Sequence, residues 1–211
     1  MNARLAFIPD TLPDGKRRLI ASALKLAARD GSSLSSLGLR ELARDADLNH
    51  NTFYRHFDDL SDLGRAAAEA VVTQVMIAMR KIRESAATHE DANIGAAEYF
   101  LDFARDNPEL VVVGLRELHG RGSPMRVALQ QALADIAHES TAQIVELDLA
   151  GGLTRESLMQ LTADITYYMF YRALDYLEQP RRRRRVRDEI VAFIRAQFLG
   201  RLELQRVTVP R

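Results

Sequence analysis

Cysteine is absent from the 211 residues of this sequence. Without thiols the chain can form neither a disulfide nor a thiolate-ligated metal site, and a reducing compartment suits it. No apolar run approaches the roughly 20 residues that a membrane-spanning helix requires, and no apolar signal-peptide core stands at the N-terminus. We therefore expect a cytoplasmic protein without a membrane partner.

An excess of charge of either sign is also lacking, since 29 Lys and Arg balance 29 Asp and Glu. This balance argues against a protein whose whole surface binds nucleic acid, although a local basic face would suffice for docking. Alternating stretches of strand length and Asn-Gly or Asp-Gly hairpin signals are missing as well. The six prolines fall between helical patterns or near the termini, where a missing N–H is tolerated. The chain is predicted to be all-α.

Apolar periodicity and capping residues divide the chain into about nine helices. The predicted segments are about Asp14–Asp30, a short helix from Leu39, a short helix capped by Asn49, a long helix from Asp59 to about Glu84, Glu90–Arg105, Pro108–His119, Ser123–Leu149, Thr154–Glu178 and Arg182–Leu204. We expect residues 1–13 to be a flexible arm, 14–66 a three-helix head and 67–211 a larger helical body, with the boundary inside the long fourth helix.

Residues 39–57 are the most informative segment, because they read as a short helix, a turn at Asp47-Leu48 and a second short helix. Phe53 and Phe57 lie four residues apart and would share an inward face. Asn49 would cap the second helix through its side chain. A second helix of this kind can enter the major groove of DNA. The candidate DNA contacts on it are Asn49, His50, Asn51, Thr52, Tyr54, Arg55 and His56.

These side chains suit different parts of a duplex. The Thr52 methyl can meet a thymine methyl, Asn51 can pair with adenine, and Arg55 can bind guanine or a phosphate. Tyr54 and His56 are better suited to contacts with phosphates. Such contacts fix the register of the protein on the duplex but do not read its base sequence. Taken singly, each is better explained as core or solvated surface, but their joint occurrence after a helix and turn favours a DNA-binding unit. Flanking phosphates would be held by Lys16, Arg17, Arg18 and Arg40, and Arg4 in the N-terminal arm is a further cation that could contact DNA.

The segment resembles the TetR family of transcriptional repressors. The likeness rests on T-F-Y-x-H-F at Thr52–Phe57, L-R-E-L-A at Leu39–Ala43 and D-L-x-D-L at Asp59–Leu63. It implies a helix-turn-helix head, a ligand-binding and dimerising body, and binding of a palindromic operator by a homodimer. Two positions depart from the pattern. Leu60 stands near a slot where many members carry a phosphate-binding lysine, and Gly38 replaces a Ser or Thr.

The middle of the chain is similar to the FabR and DesT group within that family, which represses unsaturated fatty acid synthesis in response to acyl-coenzyme A. The segments concerned are F-A-R-D-N-P and L-R-E-L-H-G-R-G-S-P-M-R-V-A. The resemblance implies a long-chain acyl-coenzyme A effector and no cofactor. Another hydrophobic effector, controlling an efflux or catabolic operon, remains the alternative. The candidate effector-binding residues are Tyr99, Phe100, Phe103, Leu115, Arg116, Leu118, Tyr167, Tyr168, Phe170 and Tyr171.

Ordinary core or dimer packing explains those aromatic residues equally well. For the phosphates of coenzyme A, further candidates beside Arg116 are Arg121, Arg126 and Arg172. The run Arg181–Arg185 would stand in the first turn of the last helix, where the dipole disfavours cations. Either the run is solvated, or carboxylates such as Asp175, Glu178 or those of a partner offset it.

An enzyme is the rival class of protein. The sequence has no His-Glu-x-x-His, P-loop, G-x-G-x-x-G or Gly-x-Ser-x-Gly pattern. A helical di-iron site needs two Glu-x-x-His pairs, and only Asp135-x-x-His138 comes near. A purely architectural DNA-binding protein would not need so large and apolar a body. We therefore expect a non-enzymatic sensor whose last two helices form a four-helix bundle in the dimer.

Overall fold

The computed structural model describes residues 7–120, 123 and 125–208. Within these ranges the chain forms α-helices joined by turns, with short 3-10 turns at Leu34–Ser36 and Pro180–Arg182, and no β-strand. The helices are α1 Asp14–Asp30, α2 Leu39–Asp45, α3 His50–Phe53, α4 Leu60–Ser85, α5 His89–Asp106, α6 Pro108–His119, α7 Met125–Glu146, α8 Arg155–Glu178 and α9 Arg183–Thr208. The predicted all-α class and helix order are confirmed.

The helix ends follow from local chemistry. Gly31 ends α1 in the left-handed conformation, at φ 63°, which glycine adopts without a Cβ penalty. The Asp59 carboxylate accepts from the backbone N–H of Asp62 at 2.8 Å, and the Asp62 carboxylate accepts from that of Asp58. The Thr154 hydroxyl caps α8 by accepting from the N–H of Ser157. These caps satisfy N–H groups that have no partner inside their helices.

The fold divides into two compact units. The first contains the residues up to Gln74 together with Ala104–Ala132, and the second contains Val75–Phe103 with the residues from Leu133 onward. The division differs from the predicted sequential boundary near residue 66, because α6 packs on α1 within the first unit. Where the boundary between DNA-binding and effector-binding parts falls is still a prediction.

The first unit has a core of aliphatic and phenylalanine side chains. The predicted inward faces of α1 to α3 are buried at Leu42, Ala43, Phe53 and Phe57, whereas Leu39 and Leu48 are only half-buried. The predicted core positions of α1 are also buried, namely Leu19, Ile20, Ala23, Leu24 and Ala27. Buried side chains from α1, α2 and the α3 segment therefore all contribute to the core of the first unit.

The segment before α1 is a correction to the predicted flexible arm, as far as it is described. Phe7 and Ile8 are buried, and the backbone N–H of Leu12 donates to the carbonyl of Pro9 at 3.0 Å. Removing two large apolar side chains from water stabilises this placement. Arg4, which the sequence offers as a further cation, lies outside the described residues.

In the second unit, α8 and α9 run antiparallel. The Tyr168 and Phe193 rings stack with centroids 3.9 Å apart, and Arg201 donates to Asp164 at 2.5 Å. At the start of α8, the N–H of Thr154 donates to the side chain of Gln205 near the end of α9. The pairing of early α8 with late α9 fixes the helical hairpin along its length. No helix in the described ranges is long and apolar enough to cross a membrane.

Candidate nucleic-acid interface and effector region

The turn between α2 and α3 is held by a residue that the sequence motif did not reveal. Asp47 has a positive φ of 52°, and the Arg18 guanidinium of α1 donates to both its carbonyl and its carboxylate at 2.9 Å. Because the left-handed region is costly for a side chain other than glycine or Asn/Asp, such contacts help to keep the turn closed. Arg18, which the sequence suggested as a phosphate contact, thus holds the turn before α3, and a phosphate would have to compete with Asp47 for it.

Helix α3 is shorter than predicted. Its α-helical part ends at Phe53, and the chain continues through tight turns in which the N–H groups of Arg55 and His56 donate three residues back. Asn49 caps the helix as predicted, its side chain accepting from the N–H of Asn51 at 2.9 Å. The Asn49 side chain thus has a structural partner. A one-turn helix is stable here because tertiary packing compensates for its poor intrinsic stability.

The phenylalanine rings at the end of the α3 segment are buried. Phe53 and Phe57 are 0% and 2% exposed, with ring centroids 5.8 Å apart. The Lys16 ammonium lies 5.0 Å from the Phe57 ring centroid, a cation–π distance. The predicted inward face is therefore confirmed, and of the residues between the rings Tyr54 and Arg55 are exposed.

The outward side carries the predicted DNA contacts. Tyr54 is 58% exposed, and its ring meets that of His50 edge-on at 5.8 Å. Asn49, Asn51 and Arg55 are also exposed, while His50, Thr52 and His56 are half-buried. The interface therefore presents amides, a hydroxyl, a phenol and a guanidinium together on one surface of the first unit.

The flanking cations differ in their availability. Arg40 is exposed in the first turn of α2. Arg17 forms ion pairs with Asp10 and Asp14, so a phosphate would have to displace those carboxylates. The imidazole of His56 packs against the backbone of Gly15 in the first turn of α1, where a Cβ would collide with it. His56 and the start of α1 are thus neighbours on the same face.

The predicted effector residues fall into both compact units. Leu115 and Leu118 are buried in α6, within the first unit. In the second unit the rings of Tyr99 and Phe103 lie 6.3 Å apart, and burial raises the pKa of Tyr99. The others lie on α5 and α8, with Phe100, Tyr168 and Phe170 half-buried and Tyr167 and Tyr171 exposed. An assignment of these residues to an effector site therefore remains a prediction.

Three of the arginines suggested for coenzyme A phosphates can be placed. Arg116 donates through Nη1 to the carbonyls of Ala27 and Ser32 at 2.8 and 3.1 Å, at the end of α1. Arg172 pairs with Asp175 and Glu189. Arg126 is exposed, and Arg121 lies outside the described residues. Arg116 and Arg172 already have protein partners, which weakens their candidacy.

A buried carboxyl group next to Arg116 was missed by the sequence reasoning. Glu117 is 2% exposed and accepts from the N–H of Leu34 at 2.7 Å and from the Ser123 hydroxyl. With Arg116 it ties α6 to the link between α1 and α2. The only sequence signal was an Arg-Glu pair within an otherwise apolar helix.

The second unit contains a polar interior that was also missed. The Arg83 guanidinium binds the Gln143 side chain, which donates to the carbonyl of Met76 at 3.2 Å. Nearby, the hydroxyls of Thr141 and Thr162 are 2.8 Å apart. Burial, with a smaller contribution from the charge of Arg80, lowers the pKa of Arg83 to about 10. The interior of the second unit therefore contains hydrogen-bonded polar side chains from α4, α7 and α8 beside its apolar ones.

The arginine run has different acidic partners from those predicted. Arg183 pairs with Glu98 and Asp102, and Arg185 pairs with Glu189. Asp175 instead pairs with Arg172. Arg181, Arg182 and Arg184 are exposed and form no ion pair with any carboxylate of the described residues. Two of the five arginines of the run are thus paired, and three are not.

Comparison with solved structures identifies the class of fold. The structure is similar to the fatty acid degradation regulator FadR from Bacillus halodurans, with TM-score 0.71 and 13% identity over 86% of this chain and 97% of that one. It is similar to a TetR-family regulator from Bordetella parapertussis, with TM-score 0.62 and 16% identity over 85% and 93%.

A third similar structure is FadR from Bacillus subtilis in complex with stearoyl-CoA, with TM-score 0.66 and 14% identity over 84% of this chain and 96% of that one. No family model matches the sequence. The chain has the fold of TetR-family transcriptional regulators.

Proposed function

We propose that this chain is a transcriptional regulator of TetR type, which binds a palindromic operator as a homodimer and represses transcription until an effector changes its affinity for DNA. One observation carries the proposal: α3 stands on two buried phenylalanines and presents Asn51, Thr52, Tyr54 and Arg55 outward from a head of this fold. Such side chains suit base edges and phosphates.

The dimer would form through α8 and α9. Tyr167 and Tyr171, one turn apart on α8, are 45% and 58% exposed, and Leu199 on α9 is 53% exposed. Large apolar side chains gathered on one helical hairpin mark an interaction surface. A two-fold arrangement of this surface would bring two copies of α3 to successive turns of the operator.

The effector is proposed to be a long-chain acyl-coenzyme A, and the regulated genes those of fatty acid metabolism. Support comes from the similar fold of the Bacillus subtilis FadR, whose structure contains stearoyl-CoA. Among the candidate residues, the half-buried aromatic side chains of α5 and α8 would suit an acyl chain, namely Tyr99, Phe100, Phe103, Tyr168 and Phe170. The exposed Tyr167 and Tyr171 are assigned to the dimer surface instead. Entry of the chain among α4 to α8 would favour one separation of the two heads over another. Differential binding to these states would then change DNA affinity.

The DNA claim is tested by selecting from a pool of randomised duplexes with the full-length protein. The proposal expects enrichment of a palindrome whose half-sites are about one helical turn apart. Lys81→Gln is a matched control, since Lys81 is exposed on α4 with no ion pair to a described residue. It should select the same palindrome. Recovery of unrelated sequences in repeated selections would contradict the claim.

The effector claim is tested separately, on the palindrome so obtained. Saturated and unsaturated acyl-coenzyme A are titrated into a DNA-shift assay, with free coenzyme A as control. At least one acyl form should change the DNA dissociation constant, and free coenzyme A should change it less. If neither acyl form has an effect, the lipid assignment is wrong while the DNA assignment stands.

A further inference from the structure

The three unpaired arginines of the run line a groove in the second unit. The groove has a volume of about 610 Å³ and is bordered by Arg181, Arg182, Arg184, Arg185, Asp188, Glu189 and Ala192. It lies where the 3-10 turn Pro180–Arg182 leads into α9. The positive end of the α9 dipole is at this position, so it adds to the potential of the side chains.

The two carboxylates in the lining do not neutralise the groove. Asp188 is paired with Arg187, and Glu189 is paired with Arg172 and Arg185. The pKa of Glu189 lies below its usual range, primarily because Arg185 hydrogen-bonds to it. Both acidic groups therefore already have closer cationic partners. The charge of Arg182 also contributes to the lowered pKa of Glu189, but Arg181, Arg182 and Arg184 form no ion pair with a carboxylate of the described residues.

Two neighbouring arginines of α9 form ion pairs with carboxylates of α5. Arg183 reaches Glu98 and Asp102, and Arg187 reaches Glu98. These contacts pin the start of α9 to α5. Arg181, Arg182 and Arg184 border the groove without such partners, and their like charges repel one another at the positive end of a helix. Binding an anion would relieve that repulsion.

We propose that this groove binds a small ligand carrying at least two phosphate groups, such as a nucleoside diphosphate or a pyrophosphate ester. A guanidinium donates two parallel hydrogen bonds to a phosphate, so one phosphate engages one or two arginines. Three unpaired guanidiniums in one groove match two adjoining phosphates better than one. The site lies outside the candidate DNA interface, so it does not depend on the proposed DNA binding.

The test is calorimetric titration of the full-length protein with ADP, inorganic pyrophosphate and orthophosphate, at low ionic strength where charges are weakly screened. The wild type should bind ADP and pyrophosphate more tightly than orthophosphate. Arg182→Gln/Arg184→Gln should weaken pyrophosphate binding about tenfold or more. Arg182→Lys/Arg184→Lys, which keeps the charge but loses the planar fork, should fall between the two.

The matched control is Lys81→Gln/Arg155→Gln, which removes two exposed cations of the second unit that lie outside the groove. This variant should bind pyrophosphate within about twofold of the wild type. Circular dichroism confirms that each variant is folded. The proposal is overturned if the wild type does not bind pyrophosphate, or if both double glutamine variants lose the same affinity. It is also overturned if the Arg182/Arg184 variant loses only affinity for duplex DNA.

Discussion

At the scale of single residues, Arg116 and Glu117 connect α6 to the helix-turn-helix part of the first unit. Arg116 binds carbonyl groups at the end of α1, and Glu117 binds the N–H of Leu34 just beyond it. Each side chain is a hydrogen-bonding partner for backbone groups at the end of α1 or in the link between α1 and α2. Buried backbone groups without partners are costly, so these two side chains stabilise the link through which α2 is positioned.

Glu117→Ala should lower the free energy of unfolding by about 1–3 kcal/mol, because it leaves the Leu34 N–H and the Ser123 hydroxyl without their buried acceptor. Urea denaturation measures the change. Glu139→Ala is the control, since Glu139 is exposed on α7 with no ion pair to a described residue, and it should change stability little. Equal losses in the two variants would show that the buried acceptor contributes nothing specific.

Two glycines with positive φ allow the energetic cost of the backbone conformation to be measured separately from the cost of a steric clash. A Cβ on Gly151, at φ 56°, would lie 2.6 Å from Cζ of Phe198, whereas one on Gly31, at φ 63°, would meet nothing within 4 Å. Gly31→Ala should destabilise by the left-handed cost alone, about 1–2 kcal/mol. Gly151→Ala should cost more, as measured by thermal unfolding. Equal costs would mean that Phe198 moves aside freely.

At the scale of helices, the start of α9 is fixed to α5 through Glu98. Burial tends to raise the pKa of Glu98, but hydrogen bonds from Arg183 and Arg187 outweigh it and bring the pKa below its usual range. A carboxyl whose pKa is lower in the folded than in the unfolded state stabilises the fold above its unfolded pKa. That contribution is lost as the pH falls through the folded pKa.

Glu98→Gln should therefore flatten the decline of stability with acid below about pH 5, since the unfolded carboxyl titrates near 4.3. Above that range the variant should be less stable than the wild type. Urea denaturation at several pH values measures both effects, with Glu139→Gln as the control for an exposed carboxyl. A wild-type pH profile in Glu98→Gln would show that the ion pairs do not contribute.

Helix boundaries were predictable where one residue dictates a backbone conformation or a cap. Gly31, Asn49, Asp59, Pro108 and Thr154 mark such positions, and the structure places helix ends beside all of them. The length of α3 was not predictable from periodicity, because the helix ends where the tertiary burial of Phe53 and Phe57 begins to dictate the backbone. The partners of Arg116, Arg18 and Arg183 could not be predicted either, because each partner lies far from its arginine along the sequence.

At the scale of the whole molecule, the residues proposed to bind DNA all belong to the first unit, and the proposed dimer surface belongs to the second. The sequence motif led to the outward face of α3 because that pattern is local. It could not identify the dimer surface residue by residue, because α8 and α9 are apolar on several faces. Exposure in the structure distinguishes Tyr167, Tyr171 and Leu199 from the buried apolar side chains.

Tyr171→Arg should shift the protein from dimer to monomer, because two guanidiniums would face each other across a two-fold surface. Light scattering coupled to size-exclusion chromatography measures the mass. Val127→Arg is the control, since Val127 on α7 is 72% exposed but lies outside α8 and α9. It should remain dimeric. A dimeric Tyr171→Arg variant would place the interface elsewhere.

The central claim, that the outward face of α3 reads DNA, is tested most directly by measuring dissociation constants on the selected palindrome and on single-base variants of it. Tyr54→Ala should weaken binding about evenly across all the duplexes, whereas Thr52→Ala should change discrimination at one base pair by about 1–3 kcal/mol. Both variants should remain dimeric, and Lys81→Gln should bind as the wild type does. Wild-type affinity and discrimination in both α3 variants would contradict the account.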